Sequence, residues 1–442
     1  MHPTARRRRV RSASVPALLV ALVATACVGG DDAPVEDGAT GTEAADSAGE
    51  PTPTAGPTAT NEPDGVLQLG YVLPESGPLA LLGPPQVGAL EMAVAEINDA
   101  GGVLGEEVSV SAGDEAGDPT VAAQTADRLI GEGVDAIIGA AASSMSLAIV
   151  DAVTNAGVAQ CSGSNTSPTF TGYDDAGLYF RTAPTDLLQG RVLARTIRKD
   201  GNDNVAIVAR ADDYGQGLMN ATRTALEEQG ATVSGTVVYD PEAASFEAEI
   251  QQLTAAEADT VVLISFEEGA DILAAMIAAG IGPGKLAVYG ADGLRSSHLA
   301  GLVDPTDPAV LAGVRGTAPA VGISAEFLER YRERSGLEDA TFAAQVYDCT
   351  ILLALAAEAA GSDAGVDLAA RVVEVSRGGT KCTSFAECRD LLGRGEDVDY
   401  DGASGAVDLT DEGEPEVGHY EVWTIGVDGQ VSTESTTEVA LG

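Results

Sequence analysis

The sequence predicts an α/β protein made of two successive doubly wound units. Short apolar runs of strand character alternate with amphipathic helical segments over residues 66–139, and the same alternation restarts at residue 204. Strands and helices that alternate in this way build parallel sheets covered by helices. The first 64 of the 442 residues carry no such alternation, and they are read separately.

The chain opens "MHPTARRRRVRSASVPALLVALVATAC", with five arginines in the first eleven residues. The apolar run from Val15 to Ala26 ends in Ala24-Thr25-Ala26, directly before Cys27. A basic start, an apolar stretch and small residues before a cleavage point make a secretory signal. The run is short for a bilayer span. A cysteine directly after small residues resembles a lipoprotein processing site, so Cys27 is expected to become the lipidated first residue, although Ala24 stands where leucine is usual. Removing residues 1–26 takes away five of the 24 basic residues and none of the 68 acids, moving the formal charge from −44 to −49. Such an acidic chain repels nucleic acid and anionic lipid. Residues 28–64 are rich in Gly, Pro, Thr, Ala and acids. They hold too little apolar surface to offset ordering entropy, and they read as a tether.

In the body, "VLQLGYV" (66–72) reads as a buried strand. The segment "PPQVGALEMAVAEINDAGG" carries Val87, Leu90, Met92, Val94 and Ile97 at helical spacing and stops on Gly101-Gly102. A second strand, a helix with Pro119 early in it, and the strand "VDAIIGA" complete the first unit. The second unit runs "NVAIVAR", a helix, "TVSGTVVYD", a helix, "DTVVLISF", a helix and "KLAVYGAD". Residues 324–334 and 340–361 read as helices, and the tail is β-rich. No apolar run after the signal reads as a membrane span. Doubly wound units bind ligands at the carboxyl ends of their strands, so two facing units make one cleft.

Enzyme chemistry finds little support. Only His298 and His419 remain after the signal, and no nucleophile elbow, H-E-x-x-H or Cys/His metal spacing occurs. Neither a metal nor a cofactor is expected. Four cysteines remain beyond Cys27, an even number for an oxidising compartment. Cys382 and Cys388 close a short loop, and Cys161 then pairs with Cys349 by exclusion. This is one preferred connectivity of three.

The stretch "GVAQCSGSNTSPTF" (157–170) therefore combines a staple at Cys161 with small polar residues at a strand end. "GAAASSMS" before it places Ser143-Ser144 at a helix start, where serine caps the helix and unpaired N–H groups attract a carboxylate. Across the cleft, "SFEEG" and "GADG" put Glu267, Glu268 and Asp292 at strand ends. A zwitterion with its carboxylate toward the first unit and its ammonium toward Asp292 fits this polarity. Each of these residues also has an ordinary role as a cap or turn residue.

The stretches "SGPLALLG", "AVAEINDAGGVLG", "DEAGDP", "SNTSP", "YFRTAPTDLLQGR" and "DDYGQGL", in this order, resemble the extracellular solute-binding proteins of branched-chain amino-acid ABC importers. The likeness covers roughly residues 66–425. It implies the type I periplasmic binding fold, with two Rossmann-like lobes joined by three crossovers near residues 184, 318 and 420. The implied organisation is a signal peptide at 1–26, a lipidated tether at 27–64, lobe one at 65–184 plus 318–419, and lobe two at 185–317 plus 420–442. Both cysteine pairs then lie in lobe one. By position, the resemblance implies Ser143 and Thr166 as carboxylate ligands through hydroxyl and N–H, and Ala141 and Ser164 as backbone contacts. Tyr214 and Phe266 lie on the second-lobe face, and Asp292 holds the ammonium. Leu82 replaces an aromatic residue and Phe266 a tyrosine of the leucine-type binders, which keeps an apolar pocket open. Glu267 and Glu268 point instead to a basic or polar side chain, or to amides or urea. The implied function is capture of an amino acid or related small polar solute by a monomer and its delivery to a membrane permease, without catalysis. The alternative is an extracellular sensor of the same fold.

Overall fold

The computed structural model describes residues 63–320 and 324–441. The signal, Cys27 and nearly all of the tether lie outside the described residues.

The first sheet holds β1 (Gln68–Val72), β2 (Ser109–Ser111), β3 (Ala136–Gly139), β4 (Ala159–Ser162) and β5 (Tyr179–Arg181), all parallel, in the order β2-β1-β3-β4-β5. β1 and β3 are nearly all buried because helices cover both faces, which is why they read as unbroken apolar runs. The helix Pro119–Glu132 is capped by Asp118, whose side chain accepts from the N–H groups of Thr120 and Val121, and Gly133 ends it with φ 88°. At the end of β3, Gly139 adopts φ 115°, and a Cβ there would meet Val72 O at 2.2 Å. Only glycine permits the loop to leave the sheet at that point.

The second sheet begins with β6 (Asn204–Arg210), β7 (Thr232–Tyr239), β8 (Thr260–Ile264), β9 (Ala287–Gly290) and β10 (Arg315–Pro319). The chain then returns to the first sheet's side. There the helices Ala343–Ala360, Gly365–Val375 and Phe385–Leu392 and the strands β11 (Thr380–Cys382) and β12 (Val398–Gly402) share one apolar core with β1, β3 and β4, and β13 (Gly405–Ala406) pairs with β12. Finally β14 (Val417–Ile425) and β15 (Val431–Ala440) join the second sheet antiparallel, giving β15-β14-β10-β9-β8-β6-β7. Three connections thus link the two sheets.

The helix Ala343–Ala360, read from the sequence as a helix over 340–361, lies in the core beside the first sheet. It is apolar and long enough to cross a membrane by length and composition, yet 83% of it is buried inside the protein. It is an alanine-rich core helix covered on all sides. Cys349 on this helix is bridged to Cys161 on β4, and Cys382 is bridged to Cys388, so both expected disulfides are formed.

Candidate functional site

In each sheet the strand order reverses beside its first strand, between β1 and β3 and between β6 and β8. The loops after these strands, together with those after β4 and β9, meet in one cavity. Leu79 and Leu82 come from the loop after β1, and Ala141, Ala142 and Ser143 from the loop after β3. Ser164 follows β4, Tyr214 β6, Phe266 β8 and Asp292 β9. Six of the seven ligand-binding residues expected from sequence line this cavity. Thr166 lies beneath it.

The first-sheet wall is tied together by buried amides and hydroxyls. Asn165 Nδ2 donates to the carbonyls of Ala140 and Ala141 at 3.1 and 3.0 Å, and its Oδ1 accepts from Tyr179 Oη at 2.8 Å. Arg181, paired in the interior with Glu414, donates to Ser167 O at 2.8 Å and fixes the same loop from below. Among the described residues no acceptor takes the N–H of Ser143, Ser144 or Thr166. Ser143 Oγ accepts from Ser167 N–H at 3.3 Å, which leaves its own hydrogen to donate. These groups form an anion-binding edge at the start of the Ser143–Asn155 helix.

Four sequence readings change here. The cap of that helix is Ala142, with no side-chain cap bond, and Ser143 is its first helical residue. Ala141 makes no open backbone contact with the cavity. Its N–H donates to Glu115 Oε2 at 2.7 Å, and its carbonyl accepts from Asn165. Ser164 is also committed: its Oγ lies 2.9 Å from Gln86 Oε1 and 3.0 Å from Ala141 O, and its N–H reaches Ser162 Oγ at 3.3 Å. The hydroxyl of Thr166 donates to Asp186 Oδ2 at 3.1 Å, so only its N–H remains for an anion. Glu115 is buried within this wall, and burial pushes its carboxyl up to about 8.

The second-sheet wall is acidic and aromatic. Asp292 Oδ1 accepts from Gln189 Nε2 at 2.7 Å and from Tyr214 Oη at 2.9 Å. No side-chain hydrogen bond to its Oδ2 is made among the described residues. Tyr214 stacks on Phe266 with centroids 5.2 Å apart and planes 3° apart. Gly293 sits so close that a Cβ would meet Phe266 Cδ1 at 2.6 Å. The Arg210 guanidinium lies 3.7 Å from the Phe266 centroid. Arg210 also pairs with Glu268 at 2.8 Å, while Tyr239 Oη donates to the same Glu268 oxygen at 2.8 Å. Glu268 is therefore spent on its own lobe, and neither it nor Glu267 lines the cavity.

Sequence reasoning missed Gln86 and Phe342. Gln86 sits on the first helix of the body and is fully buried. Phe342 begins the Ala343–Ala360 helix with φ 61°, a left-handed backbone that costs a bulky residue about 1–3 kcal/mol. The signal available was "ATF" before a long alanine-rich helix, and nothing in it names a cavity wall. Among the described residues no group of three His, Cys, Asp or Glu is placed to hold a metal.

A model of the family described as periplasmic binding protein matches residues 66–387. The chain belongs to the periplasmic binding protein family. Among its relatives in this family is the Leu/Ile/Val-binding protein homolog 1 of Brucella melitensis, 28% identical over 306 residues, which are 67% of this chain and 79% of that one. A leucine-binding protein from Thermotoga maritima superposes with a TM-score of 0.71 at 23% identity, over 84% of this chain and 98% of that one. A branched-chain amino-acid transporter substrate-binding protein from Streptococcus pneumoniae, in complex with isoleucine, superposes with a TM-score of 0.70 at 22% identity, over 85% and 100%. These two structures share the periplasmic binding fold with this chain, with two parallel-sheet lobes around a central cleft. The family is one of binding proteins rather than enzymes.

Proposed function

We propose that this protein captures a zwitterionic amino acid with an apolar side chain in the cleft outside the cytoplasm and hands it to an ABC permease. The observation that carries the reading is the polarity of the cavity. At one side stands Ser143, whose N–H is unpaired among the described residues and whose hydroxyl keeps its own hydrogen to donate, and across the cavity stands Asp292. Between them Leu79, Leu82, Phe266 and Phe342 offer an apolar wall, which favours a side chain like that of leucine or isoleucine. The spending of Glu268 on Arg210 argues against a basic side chain. The lobes, 65–184 plus 318–419 and 185–317 plus 420–442, close around the ligand, and binding favours the closed form. The chain is tethered to the outer membrane face through lipid on Cys27 and acts as a monomer.

Thermal unfolding against L-leucine, L-isoleucine, L-valine, L-lysine, acetamide and urea tests the reading. A ligand that binds only the folded protein adds about 2.7 kcal/mol at a hundredfold excess over its Kd. The branched aliphatic amino acids are expected to raise Tm. A rise with lysine or the amides alone contradicts the reading.

A further inference from the structure

Asp186 is fully buried at the start of the helix Asp186–Lys199, outside the cavity lining, and the clamp described above does not use it. Its Oδ2 accepts from Thr166 Oγ1 at 3.1 Å, and its N–H donates to Thr166 O at 2.7 Å. Its Oδ1 is buried without a partner among the described residues. Three residues on, Gln189 donates to Asp292 Oδ1 at 2.7 Å and to Thr317 O at 3.2 Å. Residues three apart share a helix face, so Asp186 lies on the same face as Gln189, the residue that holds Asp292. Gln189 Oε1 and Thr317 Oγ1 are also buried acceptors without partners.

The charged and titratable groups facing Asp186 are Asp292 in the turn after β9, Arg181 on β5, Asp212 and Tyr214 at the start of the Asp213–Glu228 helix, and Tyr420 on β14. Arg181 is the one cation among them, and it is already paired with Glu414. Asp212 is paired with Arg210. Among the described residues, Asp186 and Asp292 are therefore two buried carboxylates with no free cation facing them. Such a pair does not ionise twice.

We propose that Asp186 and Asp292 hold one proton between them in the ligand-free protein, and that the cationic head group of the ligand takes the proton's place. The ammonium enters with its charge, the shared proton leaves to the buffer, and both carboxylates are then ionised. The proposal rests on the amino-acid reading and sharpens it: the pair selects a positively charged head group over a neutral amide, urea or a plain carboxylic acid. Burial, then the charge of Asp292, pushes the Asp186 carboxyl well above the usual carboxylate range, and burial pushes Asp292 up to about 6, in agreement with proton retention.

The test combines calorimetry and infrared spectroscopy on the full chain. L-leucine is titrated at pH 7.5 in two buffers of different ionisation enthalpy, which counts protons released. The wild type is expected to release close to one proton per ligand, so its Kd falls by up to about tenfold per pH unit across neutral pH. Asp186→Asn keeps an acceptor for Thr166; it is expected to bind with almost no release and with a flat pH profile. In the ligand-free wild type, a protonated-carboxyl infrared component beyond that of buried Glu115 is expected, which should be missing from Asp186→Asn and vanish when leucine binds. Asp292→Asn is the second variant; burial still keeps the Asp186 proton, but with no second carboxylate to share it the component should shift in frequency. Equal proton release in wild type and Asp186→Asn, or an identical band in all three proteins, overturns the proposal. Should leucine fail to bind, the amino-acid reading falls, and the infrared comparison alone decides whether the pair shares a proton.

Discussion

Replacing Glu115 by glutamine removes a buried charge while keeping its shape. Glu115 Oε2 accepts from Ala141 N–H, and Oε1 has no partner. The amide oxygen of glutamine accepts the same bond, and its NH2 stands where the protonated acid would place its O–H. Burial raises this carboxyl from an ordinary 4.5 to about 8. The folded protein therefore binds more protons than the unfolded chain between these values, and stability falls as pH rises through that window. At about 1.4 kcal/mol per unit, keeping the group protonated costs the fold about 4 kcal/mol at pH 7.5 and less than about 1 kcal/mol at pH 5. Glu115→Gln is thus expected to gain about 3 kcal/mol over the wild type between pH 5 and pH 7.5. Urea unfolding of both proteins at the two pH values reads the difference, and subtraction cancels other groups such as Asp135 and Asp348, which burial also raises. Parallel pH profiles for the two proteins refute the reasoning.

Other outcomes follow from the same geometry. The Cys161–Cys349 bridge spans 188 residues and the Cys382–Cys388 bridge six, so calorimetry should show the Cys161→Ser/Cys349→Ser pair losing about 2–5 kcal/mol and the short loop losing less. Asp292→Asn is expected to weaken leucine binding by about tenfold to a hundredfold with unchanged circular dichroism, because it removes a charge-assisted bond of about 1.5–3 kcal/mol. Tyr214→Phe removes a hydroxyl that donates to Asp292 but leaves the carboxylate's charge for the ligand, and should cost less, about fivefold at about 1 kcal/mol; calorimetric titration separates the two.

The legible part of this molecule lies on the strands and their ends. β1, β3, β6 and β8 are apolar because both faces are covered, and that periodicity survives in any fold of the same class. Asp292 was read from its place for a related reason, since polar residues after a buried strand sit at the mouth of a sheet, whereas Tyr214 came only from the family resemblance. What stayed hidden are pairings between distant segments. Ala141 lost its N–H to Glu115, 26 residues earlier. Thr166 lost its hydroxyl to Asp186, 20 residues later. Glu268 looked free to meet a ligand cation until Arg210 and Tyr239, on β6 and β7, were seen to hold it. Phe342 reaches the cavity through a left-handed residue, which only the backbone reveals. The cysteine pairs were accessible because four thiols allow few connectivities.

The central claim is a site that grips both ends of an amino acid, and one comparison tests it most directly. L-leucine, 4-methylpentanoate and 3-methylbutylamine share the branched side chain; the second lacks the amine and the third the carboxylate. Calorimetry at one pH should give tight binding for leucine and binding at least about a hundredfold weaker for each of the others, since each loses one charge-assisted contact set. Equal affinity for leucine and 4-methylpentanoate would mean that Asp292 holds no ammonium, and the account of the cleft would fail.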